Sequence, residues 1–143
     1  MLAAMRELYI ESGQGFLLVF SITSLNSLSE LSELREQIIR IKDDAKVPLV
    51  IVGNKSDLED DRAVSRARAF ATSQNWGNAP YYETSARRRD NVDEVFVDLC
   101  RQIILRDTSY VHTRDHEHRE RRRHRPNRHS KRRRKEKPPC TIL

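Results

Sequence analysis

At 143 residues, with 27 Lys+Arg against 21 Asp+Glu for a net charge of +6, the chain has room for one domain and a tail. Residues 112–143 hold 13 of the basic and 4 of the acidic residues, net +9, and all five histidines, so a mildly acidic part of net −3 precedes a cationic segment too polar to bury a core. Two cysteines, Cys100 and Cys140, exclude a disulfide framework and a metal-ligand spacing and fit a reducing cytosol. The longest apolar run, 15–22, is too short to span a bilayer and the first residues lack a signal-peptide pattern, so any membrane attachment is peripheral.

In chain order, residues 1–12 predict a helix with Leu2, Met5, Leu8 and Tyr9 on one side and Gly13 as its stop. Phe16-Leu17-Leu18-Val19-Phe20-Ser21-Ile22 predicts an apolar strand. Leu28, Leu31, Leu34, Ile38 and Ile41 then recur every three or four residues, which marks an amphipathic helix over 27–42. Pro48 opens a second strand, and 57–61 is a polar loop. Ser65 is an N-cap candidate for a short helix built on Ala67, Phe70 and Ala71 that ends near Trp76-Gly77, with Trp76 assigned to packing. Pro80 opens a third strand. A last helix over 91–106 points Val92, Val95, Phe96, Leu99 and Ile103 inward, with Cys100 as a small buried hydrophobe. Such alternation predicts an α/β fold with right-handed crossovers and a parallel sheet covered on both faces, although three strands are few for that class.

Val50-Ile51-Val52-Gly53-Asn54-Lys55-Ser56-Asp57 switches abruptly from apolar to polar. Its first half predicts a strand buried on both faces, so the polar tetrad falls at the carboxyl end of a strand, where open α/β sheets bind ligands. The carboxylate of Asp57 can accept two parallel hydrogen bonds from adjacent ring and exocyclic N–H groups, which guanine offers on its Watson–Crick edge and adenine does not. The stem of Lys55 can lie over a flat ring, and the amide of Asn54 can bond a ring nitrogen while bracing a neighbouring loop. A second switch, Tyr81-Tyr82-Glu83-Thr84-Ser85-Ala86, follows one strand–helix unit later. The small residues Ser85 and Ala86 let a base approach the backbone, so that the Ala86 N–H can reach a base carbonyl while the Ser85 hydroxyl steadies Asp57.

These two strings, N-K-S-D and E-T-S-A, resemble the base-recognition elements of Ras-type small GTPases. Leu34-Arg35-Glu36-Gln37-Ile38-Ile39-Arg40-Ile41-Lys42 and Asn91-Val92-Asp93-Glu94-Val95-Phe96-Val97-Asp98-Leu99 resemble the Rap and fungal bud-site-selection branch. The resemblance covers 1–106 and resumes in the last four residues. It implies the C-terminal part of a Ras-like P-loop GTPase fold, a three-stranded parallel sheet with flanking helices over 1–106, followed by a disordered polybasic tail over 107–143. It implies guanine-nucleotide binding through Asn54, Lys55, Asp57, Ser85 and Ala86, with Arg87 able to stack along the base or ribose where the family usually has Lys. Family members hydrolyse GTP with Mg²⁺, and the nucleotide state decides which exchange factors, GTPase-activating proteins and effectors dock.

The phosphate half of the family's site has no counterpart in this sequence. No G-x-x-x-x-G-K-[ST] occurs to cradle phosphates, no D-x-x-G to serve the metal, and no first switch or water-orienting glutamine. By resemblance, position 1 falls within the second switch, after three strands and one helix of the family's fold. The favoured expectation is an incomplete gene reading of an intact GTPase; the other is a truncated product without turnover. No residue is assigned a catalytic or metal role, and the chain as given is expected to hydrolyse nothing. The first strand, without its family neighbour, is expected to leave an apolar edge that favours aggregation.

Cys140-Thr141-Ile142-Leu143 is a C-a-a-X box whose final Leu points to geranylgeranylation by a prenyltransferase at Cys140. One prenyl chain needs a second signal for stable anchoring. Arg121, Arg122, Arg123 and Arg125, with Lys131, Arg132, Arg133, Arg134 and Lys135, supply it, each worth about 1 kcal/mol near an anionic inner leaflet. The pattern predicts a peripheral, lipid-anchored protein on the cytoplasmic side of the plasma membrane. Nuclear import and nucleic-acid binding are the rival readings of the Arg clusters, and the lack of interleaved aromatics, Tyr110 being the last, disfavours nucleic acid. A rival for the whole chain is a non-catalytic, membrane-tethered competitor for exchange factors.

Overall fold

The computed structural model describes residues 3–123, with backbone only at 117, 118 and 120–123. The chain divides into two units, residues 1–109 and 110–143. In order, the elements are α1 (Ala3–Ser12), β1 (Phe16–Ser21), α2 (Leu25–Lys42), β2 (Leu49–Asn54), a 3₁₀ turn (Glu59–Asp61), α3 (Arg66–Asn75), β3 (Tyr81–Glu83) and α4 (Val92–Arg123). The three strands form one parallel sheet in the order β1-β2-β3, with Phe16 opposite Leu49 and Ile51 opposite Tyr81. The α/β class, the strand count and the parallel sense are those expected from the alternation of apolar runs.

β2 is the central strand, and Val50, Ile51 and Val52 are all buried. Its side chains feed two cores because neighbours along a strand point to opposite faces. On one face Leu49 and Ile51 join Leu18, Phe20, Ile22, the α2 residues Leu28, Leu31 and Ile38, and Ala69 of α3. On the other, Val50 and Val52 meet Val95 of α4, with Leu17, Tyr82 and Leu99 around them. Helices α1, α2 and α3 thus cover one face and α4 alone covers the other. Val19 of β1 lies beyond its reach and stays half exposed.

Through Phe20, β1 takes its hydrogen bonds from the β2 side alone. Phe16 N–H donates to Pro48 O at 3.0 Å and Ile22 N–H to Asn54 O at 3.1 Å, so the even-numbered residues face β2 and Leu17 and Val19 turn their backbone groups to the open edge. At the last residue of that strand, Ser27 couples β1 to α2. Its hydroxyl accepts from Ser21 N–H at 3.0 Å and donates to Ser24 O at 2.7 Å, while the Ser24 hydroxyl caps the helix by accepting from Ser27 N–H at 3.3 Å. Leu49, at the start of β2, precedes the point where β3 begins. The Gln102 amide of α4 takes the place of a neighbouring strand there, accepting from Leu49 N–H at 3.2 Å and donating to Leu49 O at 3.0 Å.

Burial on the helices departs in part from the apolar stripes of the sequence. On α1 Ile10 is buried while Met5, Leu8 and Tyr9 are exposed, because only the end of that helix reaches the sheet. On α3 the buried residue is Ala69, with Ala67, Phe70 and Ala71 exposed; Phe70 sets its edge against the Tyr81 ring at 5.5 Å. Ser65 does cap α3, accepting from Arg68 N–H at 3.2 Å. Cys100 and Phe96 of α4 are exposed, not buried, since a helix on a narrow sheet hides only one stripe. Trp76 packs against the core, with the Arg35 guanidinium 5.3 Å from its ring centre.

α4 runs past its expected end at 106 and continues to Arg123. The sequence has no Gly or Pro from 92 to 125 to stop it. Within the second unit, the Arg114 guanidinium lies 5.6 Å from the Tyr110 ring centre. Arg121, Arg122 and Arg123 fall on this helix, whereas Arg125, Lys131, Arg132, Arg133, Arg134, Lys135 and the C-a-a-X residue Cys140 lie outside the described residues.

Candidate functional site

Two loops leave the same end of the sheet, one after β2 and one after β3, and the parallel pairing sets them side by side. Thr84 N–H donates to Gly53 O at 2.8 Å and Ser56 N–H to Thr84 O at 3.0 Å, continuing the ladder beyond the strands. Side chains then tie loop to loop. Asn54 Oδ1 accepts from the Thr84 hydroxyl at 3.2 Å and from Ala86 N–H at 3.3 Å. With its oxygen held by two donors, Asn54 presents the NH₂ end of its amide as the group available to an acceptor.

Lys55 adopts a left-handed backbone with φ of 65°, a conformation rare outside glycine and concentrated where function demands it. The bend, closed by Leu58 N–H donating to Lys55 O at 2.9 Å, brings Asp57 back toward the second loop. There Ser85, fully buried, donates its hydroxyl to Asp57 Oδ1 at 2.8 Å and accepts from Arg88 N–H at 3.1 Å. The Ser85 bond, helped by the charges of Arg88 and Arg87, holds the Asp57 carboxyl below its ordinary value, against the opposing effect of desolvation. Asp57 is therefore an anionic acceptor at neutral pH, and a carboxylate with four lone-pair positions keeps room for further donors after Ser85 has taken one.

The second loop is closed on itself. Ser85 N–H donates to Asp90 O at 3.2 Å, Asp90 N–H to Ser85 O at 3.1 Å, and Asn91 Nδ2 to Glu83 O at 2.8 Å. Ala86, Arg87 and Arg88 are exposed on its outer turn. Asn54, Lys55, Asp57, Ser85, Ala86 and Arg87 thus all lie on these two adjoining loops. One detail differs from expectation: the Ala86 N–H is not open but is spent on Asn54. At 3.3 Å, and on an oxygen shared with Thr84, that bond is weak enough to be shared with an incoming carbonyl.

Sequence reasoning missed a second cluster beside the first. Arg62, at the far end of the β2 loop, forms a two-bond ion pair with Glu83, Nη1 to Oε2 at 2.8 Å and Nη2 to Oε1 at 2.6 Å. Tyr81 donates its hydroxyl to Glu83 Oε2 at 2.7 Å. Burial pushes Glu83 up, but the bonds from Arg62 and Tyr81 and the charges of Arg62 and Arg66 outweigh it, and its carboxyl sits below the ordinary range. Burial first, then the bond to Glu83, pushes the Tyr81 phenol above its ordinary value. The Arg62–Glu83 pair carries no local signal, since 21 residues separate its members; Glu83 and Thr84 stood in the E-T-S-A string without an assigned role.

Among the described residues no three carboxylate, imidazole or thiol groups converge on a point that could hold a metal ion, and the sequence has no phosphate-cradling glycine loop. The groups gathered on the two loops, an ionised carboxylate, an amide NH₂ and a weakly held backbone N–H, match a planar ring that offers adjacent N–H donors and a carbonyl. Among the described residues no helix is long and apolar enough to cross a membrane. The Ras family model matches residues 2–105 of the sequence, and the chain belongs to the Ras family of guanine-nucleotide-binding small GTPases.

Proposed function

We propose that this chain supplies the guanine-selecting half of a Ras-type nucleotide switch of the Rap or bud-site-selection kind. The observation that supports it is the Asp57–Ser85 bond, which fixes an ionised carboxylate beside the Ala86 N–H and the Asn54 amide. In this reading Asp57 accepts from the ring and exocyclic N–H groups of guanine, Ala86 N–H meets its carbonyl, and Asn54 donates to a ring nitrogen. Lys55 lies over the ring and Arg87 along its rim. The residues of this sequence select a base and perform no phosphate chemistry, so binding is weak and turnover absent. Titrating guanosine and inosine into the ¹⁵N-labelled chain tests this. Guanosine should move the Ala86 and Asp57 amide resonances at concentrations about tenfold below inosine, which lacks the exocyclic amine. Equal responses would refute guanine selection.

The same reading assigns the C-terminal residues to anchoring on the cytoplasmic face of the plasma membrane. Cys140 takes a geranylgeranyl group, and the Arg and Lys clusters at 121–125 and 131–135 add attraction to anionic lipid. Cys140→Ser in a tagged chain should abolish membrane association, and retained association would overturn the anchor. A second reading, a tethered protein that competes for exchange factors without switching, is favoured by the lack of a phosphate-cradling loop in this sequence. Micromolar, Mg²⁺-dependent GTP binding by this chain would exclude it.

A further inference from the structure

We infer that Arg62 and Glu83 are positioning residues that hold Asp57 and Ala86 in register with each other, a step beyond the guanine reading that rests on it. Arg62 has five N–H donors, and all five are engaged. Besides the two bonds to Glu83, Nε donates to Glu59 Oε1 at 2.9 Å, Nη2 to Glu59 Oε2 at 2.8 Å and Nη1 to Val64 O at 3.0 Å. Glu83 is equally saturated, because Tyr81 and Arg66, at 2.7 and 3.2 Å, complete four bonds on its two oxygens. Both side chains are nearly buried, 13% and 15% exposed. A planar pair with every donor and acceptor used has one geometry.

That geometry is passed to the base-facing residues because little slack lies between. From Lys55 to Arg62 the chain is a run of tight turns, Leu58 N–H to Lys55 O at 2.9 Å, Asp61 N–H to Leu58 O at 3.0 Å and Arg62 N–H to Glu59 O at 3.2 Å. Beyond it, Ala63 and Val64 N–H both donate to Ile22 O, at 2.8 and 3.0 Å, which fixes the loop to the end of β1. Glu83 is separated from Ala86 only by Thr84 and Ser85, whose bonds to Asn54 and Asp57 cross to the first loop. The Asp57–Ser85 contact therefore sits between two pinned ends, and neither Arg62 nor Glu83 needs to touch the ligand to set it.

The test uses the full ¹⁵N-labelled chain and Arg62→Met, Arg62→Lys and Glu83→Gln. Without ligand, each substitution should move the amide resonances of Asp57, Ser85 and Ala86, least in Arg62→Lys, which keeps the charge but loses the fork. With ligand, the guanosine-over-inosine preference should fall about tenfold in Arg62→Met, an effect that a loss of stability alone would not produce in a folded protein. Arg62→Lys and Glu83→Gln guard against failure of the first variant to fold. Unmoved amides and an unchanged preference in these two would overturn the positioning role. Should the unsubstituted chain show no preference between the two nucleosides, the guanine reading fails by itself, and the ligand-free resonances still decide whether the pair holds the loops in register.

Discussion

Ser85 reaches across 28 positions of sequence to place its hydroxyl 2.8 Å from Asp57 Oδ1, and does so from a fully buried position. The same oxygen that donates to Asp57 accepts from Arg88 N–H, so one side chain organises both loops. Ser85→Ala removes both bonds and should raise the Asp57 carboxyl toward its ordinary value of 3.8. Carbon-detected titration of the carboxyl measures that rise, and guanosine binding should weaken by about tenfold in the same protein.

The pH dependence of stability follows from the acids tied down in the folded state. Glu83 and Glu59 lie below their ordinary 4.5, and Asp57 and Asp44 below their ordinary 3.8. Asp44 is held first by Lys46 N–H and then by Arg106. A lowered carboxyl adds stability that is complete above its ordinary value and is lost as pH falls through the folded one. Melting temperature should therefore be flat at neutral pH and drop below about pH 4.5. Tyr81 acts at the other end: its raised phenol adds stability that is complete below pH 10 and lost as pH rises through the folded value.

Arg62→Met strips Glu83 of its main counter-ion and should cost about 3 kcal/mol at pH 7, less whatever Arg66 recovers at 3.2 Å. The cost should shrink as pH falls and Glu83 takes up a proton, because a neutral acid needs no cation. Urea unfolding at pH 7 and pH 4 measures the difference.

Gly53 ends the apolar part of β2, and a Cβ there would stand 2.6 Å from the Tyr81 hydroxyl oxygen and 3.1 Å from Ile22 Cγ2. Gly53→Ala should push Tyr81 off Glu83 and cost about 2 kcal/mol by overpacking. Thermal melts of Gly53→Ala and Gly53→Ala/Tyr81→Phe separate the two effects. Losing the hydroxyl should restore part of the stability if that contact dominates.

Gln102→Leu should cost about 2 kcal/mol, since the N–H and C=O of the buried Leu49 lose their partners together. Gln102→Glu keeps an acceptor for the N–H but faces the carbonyl with a second one, and should be no better at neutral pH. Chemical denaturation of both variants checks the order.

What was legible in the sequence follows from the range of each signal. The strands and α2 were marked by side-chain period, and β2 by an apolar run flanked by Pro48 and Gly53. The Asn54, Asp57, Ser85 and Ala86 grouping was legible because two short strings each end a strand, and parallel strands bring their ends together. Arg62 was not, because a guanidinium finds its carboxylate in space, and nothing near position 62 marks Glu83. The buried residues of α1 and α3 were not legible for a similar reason: a helix that touches a narrow sheet at one end hides Ile10 or Ala69, whatever its apolar stripe suggests. The length of α4 was underestimated because the apolar period stops near Ile103 while the helix-permitting residues continue.

The one-sided pairing of β1 leaves a saw-tooth in the protection of its amides from deuterium. Leu18 and Phe20, turned toward β2, should exchange only when the sheet opens. Leu17 and Val19, facing outward in the same strand, should exchange orders of magnitude faster, so that two neighbouring peptide groups keep very different clocks.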